Sequence, residues 1–182
     1  MKNQDLFNDI SAGAVFSKDK KYRYSLWRIW NTDKPLMMVI GLNPSTANEK
    51  ALDNTTKKVS KIADYNGYGG FYMMNCFAYV STDPAKLVAD DNNDVNIRFL
   101  RIIAAKCQDV VFAWGDFKII SHIGISNRII NMFPEAKALE INKSGSPKHP
   151  LYCKIKTKLI NYKLICNSIS FEPKPTHGYI VN

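Results

Sequence analysis

The 182-residue sequence contains no apolar run approaching the ~20 residues that a membrane-spanning helix needs. Residues 1–13 also lack the apolar core of a secretory signal peptide. Missing too are the P-loop, the G-x-G-x-x-G loop and any paired-histidine metal motif, which mark common nucleotide-binding and zinc proteins. We therefore expect a cytoplasmic protein without a membrane span, whose chemistry belongs to none of these motif classes.

Cysteine is scarce, and its spacing excludes the common metal sites. The four cysteines are Cys76, Cys107, Cys153 and Cys166, and no two of them form a C-x-x-C pair. Structural zinc sites and four-cysteine iron–sulfur clusters usually draw on such closely spaced pairs. We therefore expect reduced thiols in the core, and no metal, iron–sulfur cluster or other cofactor.

Acidic residues are few relative to basic ones. Sixteen aspartates and glutamates oppose 25 lysines and arginines, which gives a formal net charge of +9. Such a surplus favours an anionic partner, with nucleic acid ahead of an acidic membrane face. Hydrophobic residues make up 46% of the chain, enough for one core. The expectation is a single monomeric domain over residues 1–182 that binds DNA and no membrane.

The lysines are concentrated in two parts of the chain. Lys57, Lys58 and Lys61 lie in a segment with helical periodicity, and residues 141–182 hold seven lysines but only one acid, Glu172. Either cluster alone is as typical of a solvated protein surface as of one that binds phosphates. Two clusters flanking the same loops favour a surface that follows phosphates. The lysines expected to contact nucleic acid are Lys57, Lys58, Lys148, Lys154, Lys156 and Lys158.

The hydrophobic pattern predicts alternating strands and helices. Short apolar runs bounded by turn residues predict buried strands over residues 36–42, 70–80, 109–114 and 136–141. Helical spacing predicts helices over residues 53–66, 94–107, 116–133 and, strongly basic, 151–162. Residues 22–30 predict an additional early strand, and residues 1–20 are expected to be loosely held. This alternation predicts an α/β sandwich with a parallel central sheet.

Ligands of such sheets bind beyond the carboxyl ends of the strands, which directs attention to four loops. The first carries Gly41, Asn43, Pro44, Ser45 and Thr46. Its asparagine is suited to positioning a water or binding a sugar or base, and its hydroxyls to donating to a phosphate. The alternative is a plain Asx-Pro turn that caps the next segment.

The other three loops carry Asn75, the Trp114-Gly115 pair and His149. Asn75 is suited to reading the edge of a base, or to bonding a neighbouring loop. Trp114 is either a ligand platform or a core residue. His149, stiffened by the flanking Pro147 and Pro150, is suited to proton transfer or to stabilising a developing negative charge, unless it is an ordinary surface residue.

Together these segments resemble the domain of unknown function 1643 family over roughly residues 14–152. The resemblance rests on YRYSLWRIW (22–30), GLNPSTA (41–47), Asp53 with Thr55, MMNCFAYVSTDP (73–84), Asn93, FAWGD (112–116) and GSPKHPLY (145–152).

More distantly, the same four loops resemble those of the uracil-DNA glycosylase superfamily. That resemblance implies a three-layer α/β/α sandwich around a four-stranded parallel sheet. It also implies hydrolysis of the N-glycosidic bond of a base flipped out of DNA. Asn43 would position the water, Asn75 would bind the base, and His149 would stabilise the departing base. The first motif lacks the aspartate of the most active uracil enzymes, and Asp53 is the candidate for its role.

The remaining assignments of the resemblance concern contacts. Residues expected around the substrate are Gly41, Pro44, Ser45, Thr46, Trp114 and Gly115; those expected to press into the nucleic acid are Ser146, Pro147 and Lys148. Two other functions are compatible with the same residues. One is a catalytically inactive module that binds nucleic acid or a nucleotide in the same pocket, and the other is an enzyme acting on a free nucleoside or nucleotide.

Overall fold

The computed structural model describes residues 10–45, 53–81, 87, 92–117 and 124–162. Within them, seven strands form one sheet and three helices pack on it. The strands are β1 (Ser11–Phe16), β2 (Arg23–Ile29), β3 (Leu36–Gly41), β4 (Gly70–Asn75), β5 (Asp109–Phe112), β6 (Lys137–Ala138) and β7 (Ile160–Asn161). The helices are α1 (Asn54–Tyr65), α2 (Asn92–Ala104) and α3 (Ile125–Met132), and a 3-10 turn spans Pro150–Tyr152.

The sheet is mixed, in the order β1-β2-β4-β3-β5-β6-β7. Strand β3 pairs in parallel with β4 and β5, and β5 with β6, whereas β1–β2, β2–β4 and β6–β7 are antiparallel pairs. The predicted α/β class is therefore confirmed. The prediction of a four-stranded parallel sheet is wrong for the sheet as a whole, because antiparallel strands extend it at both edges.

Both faces of the sheet are covered, and strand β3 shows why. Met37 and Val39 pack into one cluster with Val59 and Ile62 of α1. The alternate residues, Met38 and Ile40, pack into a second cluster with buried side chains of α2 and α3, among them Leu100 and Ile129. Successive strand residues point to opposite faces, so a continuous apolar run is what a strand covered on both sides requires.

The N-terminal edge differs from the expectation of a loosely held segment. Residues 11–16 form β1, which pairs with β2 in a register that sets Gly13 opposite Trp27. A Cβ at Gly13 would lie 2.3 Å from the Trp27 ring, so the glycine lets the indole lie across β1. The segment is held by backbone pairing with β2, which the polar residues around it do not reveal. Residues 1–9 lie outside the described residues.

The predicted helix over residues 151–162 is also wrong. After the 3-10 turn the chain makes a second turn, in which the Thr157 amide donates to the Lys154 carbonyl (3.2 Å). It then passes the end of α1, where Asn66 donates to the Thr157 carbonyl (2.9 Å) and accepts from the Leu159 amide (3.4 Å). It then forms β7 against β6. Buried Cys153 and partly buried Leu159 anchor the segment to the α1 side of the core. Residues 163–182 lie outside the described residues.

The other elements match the predictions with changed limits. Helix α1 begins after its N-cap Asp53, as expected. Of the helix predicted over residues 116–133, Asp116 and Phe117 are not helical, and residues 118–123 lie outside the described residues. Gly124, at φ +68°, precedes α3. The strand predicted over residues 136–141 is only Lys137–Ala138. None of the helices in these ranges is long and apolar enough to span a bilayer.

Candidate functional site

A cavity of about 260 Å³ lies at the carboxyl ends of β3 and β4, and we call it the first cavity. Its walls come from β2, the loop after β3, the start of α1 and the loop before the 3-10 turn. The side chains that define its chemistry are Arg23, Asn43, Asp53, Asn75, Phe117 and His149. The structure therefore brings together the expected residues of three sequence-distant segments.

Gly41 forms part of the floor, where β3 ends. It lies beside Asn75 in the parallel register of β3 and β4. A Cβ at this position would lie 2.8 Å from the Met73 methyl and 3.0 Å from the Asn75 side-chain amide. The absence of a Cβ at Gly41 thus leaves room for the Met73 and Asn75 side chains beneath the cavity.

The two asparagines of the cavity are tied to the main chain. The Asn43 side-chain amide donates to the carbonyls of Ser81 (2.6 Å) and Pro44 (3.2 Å). The Asn75 side chain is 2% exposed, and its nitrogen, assigned from its neighbours, donates to the carbonyls of Met74 (3.1 Å) and Asn43 (3.3 Å). Both sets of N–H groups are thus used structurally, so each residue can offer a ligand only its carbonyl oxygen.

Asp53 is held as a carboxylate. It caps α1 by accepting from the Thr56 amide (2.7 Å), and its second oxygen accepts from the Ser45 hydroxyl. Burial alone would raise its pKa, but these hydrogen bonds and the charge of Arg23 bring the pKa below the usual value. The group is therefore ionised at neutral pH.

Arg23 supplies the opposite charge from β2. It is 3% exposed, and burial lowers its pKa to about 10, an effect that the Asp53 charge partly opposes. The guanidinium remains protonated at neutral pH. The first cavity thus contains a compensated pair of charges.

His149 faces this pair as a neutral ring. Burial lowers its pKa, and the charge of Asp53 only partly opposes that shift. Its Nδ1 accepts from the Leu151 amide (3.4 Å) at the start of the 3-10 turn. Because Nδ1 is an acceptor, the ring proton belongs on Nε2. The cavity therefore combines an anionic acceptor with a neutral imidazole donor, the pair of groups that acid–base chemistry requires.

Residues 23–151 match the family model described as "Protein of unknown function (DUF1643)". The chain belongs to the DUF1643 family. The matched stretch contains all six side chains that define the first cavity. No curated protein and no solved structure gives a significant match to the chain.

Some expected site residues of this DUF1643 chain lie elsewhere. Trp114 is 2% exposed and packs against Phe112 in the cluster under α2 and α3, with ring centroids 4.7 Å apart. It does not line the first cavity, because it belongs to the opposite face of the sheet. Pro44 is buried and accepts from Asn43 and Ser81, whereas Gly115 borders a neighbouring cavity. Thr46 lies outside the described residues.

The segment expected to press into nucleic acid is folded back as a hairpin. The Ser146 carbonyl accepts from the Asn142 amide (2.9 Å), and Pro147 is buried and bridges to Ile141. Lys148 forms an ion pair with Glu140 at 2.7 Å. The structure thus places the segment against the strand it follows, with the lysine charge compensated, and not on a projecting loop.

The two lysine clusters do meet. Lys58 of α1 donates to the Leu151 carbonyl (3.2 Å), and Lys158 lies 4.6 Å from the centre of the Tyr65 ring. The segment after the 3-10 turn therefore runs along α1. We call the resulting surface the basic ridge; it comprises Lys57, Lys58, Lys154, Lys156 and Lys158.

Sequence reasoning missed Arg23 and Phe117. Arg23 occupies a strand whose neighbours are buried, and a charged residue in such a strand signals a specific partner inside the fold. Phe117 gave no signal, since it falls in a segment predicted as helix. Among the residues that the structure describes, no group of three or more His, Cys, Asp and Glu side chains is arranged to hold a metal ion.

Proposed function

We propose that this protein hydrolyses the N-glycosidic bond of a base in nucleic acid, in the manner of the uracil-DNA glycosylase superfamily. The observation that carries the proposal is the pairing of ionised Asp53 with neutral His149 in one cavity. At about 260 Å³ the cavity lies near the lower end of ordinary ligand pockets, so it suits a single flipped base better than a large ligand.

The roles follow from charge. Water attacks the sugar carbon as the carbon–nitrogen bond breaks, and the bonding electrons leave with the base. Asp53 stabilises the positive charge that develops on the sugar and takes up the proton of the water. The Nε2–H of His149 donates to the departing base, whose negative charge it stabilises. The products are the free base and an abasic sugar.

The asparagines and Phe117 have supporting roles. The side-chain N–H groups of Asn43 and Asn75 donate to the main chain, so each residue offers its side-chain carbonyl oxygen. Asn43 would hold the water with this oxygen, and Asn75 would accept from a base N–H. The 40% exposed ring of Phe117 lies at the cavity wall, where a flipped base can stack on it.

The basic ridge favours a polymer over a free nucleoside. Lys57 and Lys58 follow directly after Thr55 and Thr56, which line the first cavity, and Lys154 follows the turn that begins at His149. Cations so placed lie where the phosphates on either side of a flipped nucleotide would run. A sheet with buried side chains packed on both of its faces supports the proposal at the level of the α/β class alone.

A catalytically inactive binding module is the second candidate, and one observation favours it. Both Asp53 oxygens are already hydrogen-bonded, and the lowered pKa makes this carboxylate a weak base. Such a group holds the loop and the helix start in place even without chemistry.

Base release separates the candidates. The full chain is incubated with DNA duplexes that carry uracil, mismatched bases or bulky modified bases, and free bases are measured by mass spectrometry. Duplex binding is measured in parallel over a range of salt concentrations. We expect release of one base class and binding that weakens as salt rises. Salt-sensitive binding without any release would favour the binding module. If neither binding nor release is observed, an enzyme that acts on a free nucleoside or nucleotide is favoured.

The matched variants are Asp53→Asn and Asp64→Asn. Asparagine caps helices as well as aspartate does, so Asp53→Asn removes the charge but keeps the cap of α1. Asp64→Asn removes an exposed charge from the same helix. Base release is expected to fall by about 100-fold or more in Asp53→Asn only. Full activity of Asp53→Asn would overturn the assigned role.

A further inference from the structure

A second cavity of about 420 Å³ adjoins the first, with which it shares Phe117 and His149. Its other lining residues are Gly115, Asp116, Asn142, Lys143 and Tyr152. Asn142 and Lys143 lie outside the sequence motifs described above, Tyr152 ends the GSPKHPLY motif without an assigned role, and the proposed hydrolysis uses none of the three.

Two exposed aromatic rings flank the shared histidine. Phe117 is 40% exposed and Tyr152 is 75% exposed, although rings of this size are usually buried. The Tyr152 ring centre lies 6.0 Å from that of His149, with a tilt of 59° between the planes. Flat, exposed rings beside a ligand cavity are the usual stacking platforms for nucleic-acid bases.

The platform is held in place by the local structure. Tyr152 ends the 3-10 turn, where its amide donates to the His149 carbonyl (3.0 Å), and Lys58 fixes the turn through the Leu151 carbonyl. Gly115 adopts φ +82°, and a Cβ there would lie 3.3 Å from both His149 and Phe117. Glycine thus permits the close approach of the two shared walls.

The charges of the second cavity lie in two different segments. Lys143 is exposed in the turn before the hairpin segment, whereas Asp116 lies in the loop after β5. The Asp116 carboxylate disfavours a phosphate near it, so the phosphate belongs beside Lys143. Asn142 adds polar atoms next to Lys143. A base on the rings and a phosphate at the lysine together describe one nucleotide.

We propose that the second cavity binds the nucleotide adjacent in the strand to the one held in the first cavity, with its base stacked on Tyr152 and its phosphate at Lys143. This inference rests on the proposed function for the occupant of the first cavity. Because the two cavities share His149 and Phe117, neighbouring nucleotides of one single strand can occupy both.

The test measures binding of a fluorescein-labelled single-stranded thymidine oligonucleotide by anisotropy. Tyr152→Leu is expected to weaken binding about tenfold, whereas Tyr152→Phe, which keeps the ring, changes it by less than about twofold. Lys143→Gln is expected to lower the salt dependence of binding, and Lys106→Gln, an exposed lysine after α2, is the control. Equal binding by Tyr152→Leu and the wild type would overturn the inference.

A second readout separates this inference from the proposed function. Base release is measured with the same variants. If the wild type releases a base and Tyr152→Leu binds normally, the second cavity is misassigned and the proposed function stands. If no base is released but binding depends on Tyr152, the hydrolysis is overturned and the nucleotide site stands. A wild type that releases a base from duplex DNA but does not bind the oligonucleotide would overturn the second-cavity site alone, whereas a wild type that neither releases a base nor binds would overturn both.

Discussion

The two walls of the first cavity contain groups of similar burial that end in opposite charge states. Asp53 and His149 are both partly buried at the start of a helical turn, and burial disfavours the charged form of each. Asp53 is nevertheless ionised, because the Ser45 hydroxyl and the Thr56 amide donate to it and Arg23 adds positive charge. His149 stays neutral because burial lowers its pKa and the Asp53 charge only partly opposes that shift.

The difference shows that, at similar burial, hydrogen-bond donors and the Arg23 charge keep Asp53 ionised, whereas burial keeps His149 neutral. Local capping geometry supplies those donors on the Asp53 side and consumes the free nitrogen on the His149 side. The local structure at the start of α1 and at the start of the 3-10 turn therefore makes Asp53 an anion and His149 a neutral donor.

Removing the imidazole donor is expected to have the largest effect. In His149→Asn the shorter side chain can still accept from the Leu151 amide and cap the 3-10 turn, but the Nε2–H is lost. Base release is expected to fall by about 100-fold or more, because one donor to a developing anion typically contributes that much. The measurement is single-turnover release on the substrate identified from the duplex panel.

An unchanged melting temperature is the control for that variant. Duplex binding is expected to remain near the wild-type value, since the basic ridge is untouched. A His149→Asn protein that retains most of the wild-type rate of base release would show that the His149 imidazole takes no part in the chemistry.

Weakening the anionic wall is expected to have an intermediate effect. Ser45→Ala removes one donor to Asp53 and leaves the Thr56 amide in place, so the pKa of Asp53 rises. The acidic limb of the pH–rate profile is expected to move upward by about one pH unit, which is a tenfold loss on that limb.

Ser60→Ala is the matched control for this shift. Ser60 lies on the same helix, but its hydroxyl donates to the Thr56 carbonyl and not to Asp53. An acidic limb that stays in place in Ser45→Ala would mean that Asp53 does not control the rate.

The parts of this site that the sequence predicts are those defined by local pattern. The apolar run that ends near Gly41 locates the end of β3, and ligand sites of parallel sheets lie at such ends. The run over residues 70–80 locates β4 but not its end at Asn75. Asp53 is recognisable as a helix cap from the periodic residues that follow it. These signals are contained in a few consecutive residues.

The features that the sequence does not predict depend on distant contacts. Residues 11–16 become a strand because β2 offers a backbone edge. The basic segment after the 3-10 turn follows α1 without forming a helix, because Cys153 and Leu159 pack into the core on the α1 side. Trp114 belongs to the core because its side of β5 faces α2 and α3. Phe117 comes to the cavity through a loop whose course no periodicity encodes.

The pH dependence of stability should separate the two walls. The pKa of His149 is lowered from 6.5, so the unfolded chain binds its proton first and stability falls as pH drops below about 6.5. The pKa of Asp53 is lowered from 3.8, so its contribution is present above that pH and is lost as pH falls through the folded value. Melting temperatures measured against pH should therefore show two separate declines.

His149→Asn identifies the upper decline. The variant is expected to lose the decline that begins near pH 6.5 and to keep the lower one. An identical upper decline in variant and wild type would assign it to another group and leave the neutral state of His149 unsupported.

The smallest effects are expected on the basic ridge, outside both walls. Lys154 and Lys156 are exposed, so replacing either with glutamine should not affect folding. Each replacement is expected to lower the slope of log K against log salt for duplex binding by about one, and to weaken binding to all sequences alike. Lys106→Gln, on the α2 side, is the control. Suppose that either ridge variant keeps the wild-type slope while Lys106→Gln shows a lower one. The phosphates would then run on the other face of the sheet, and DNA would not approach Asp53 and His149 along α1.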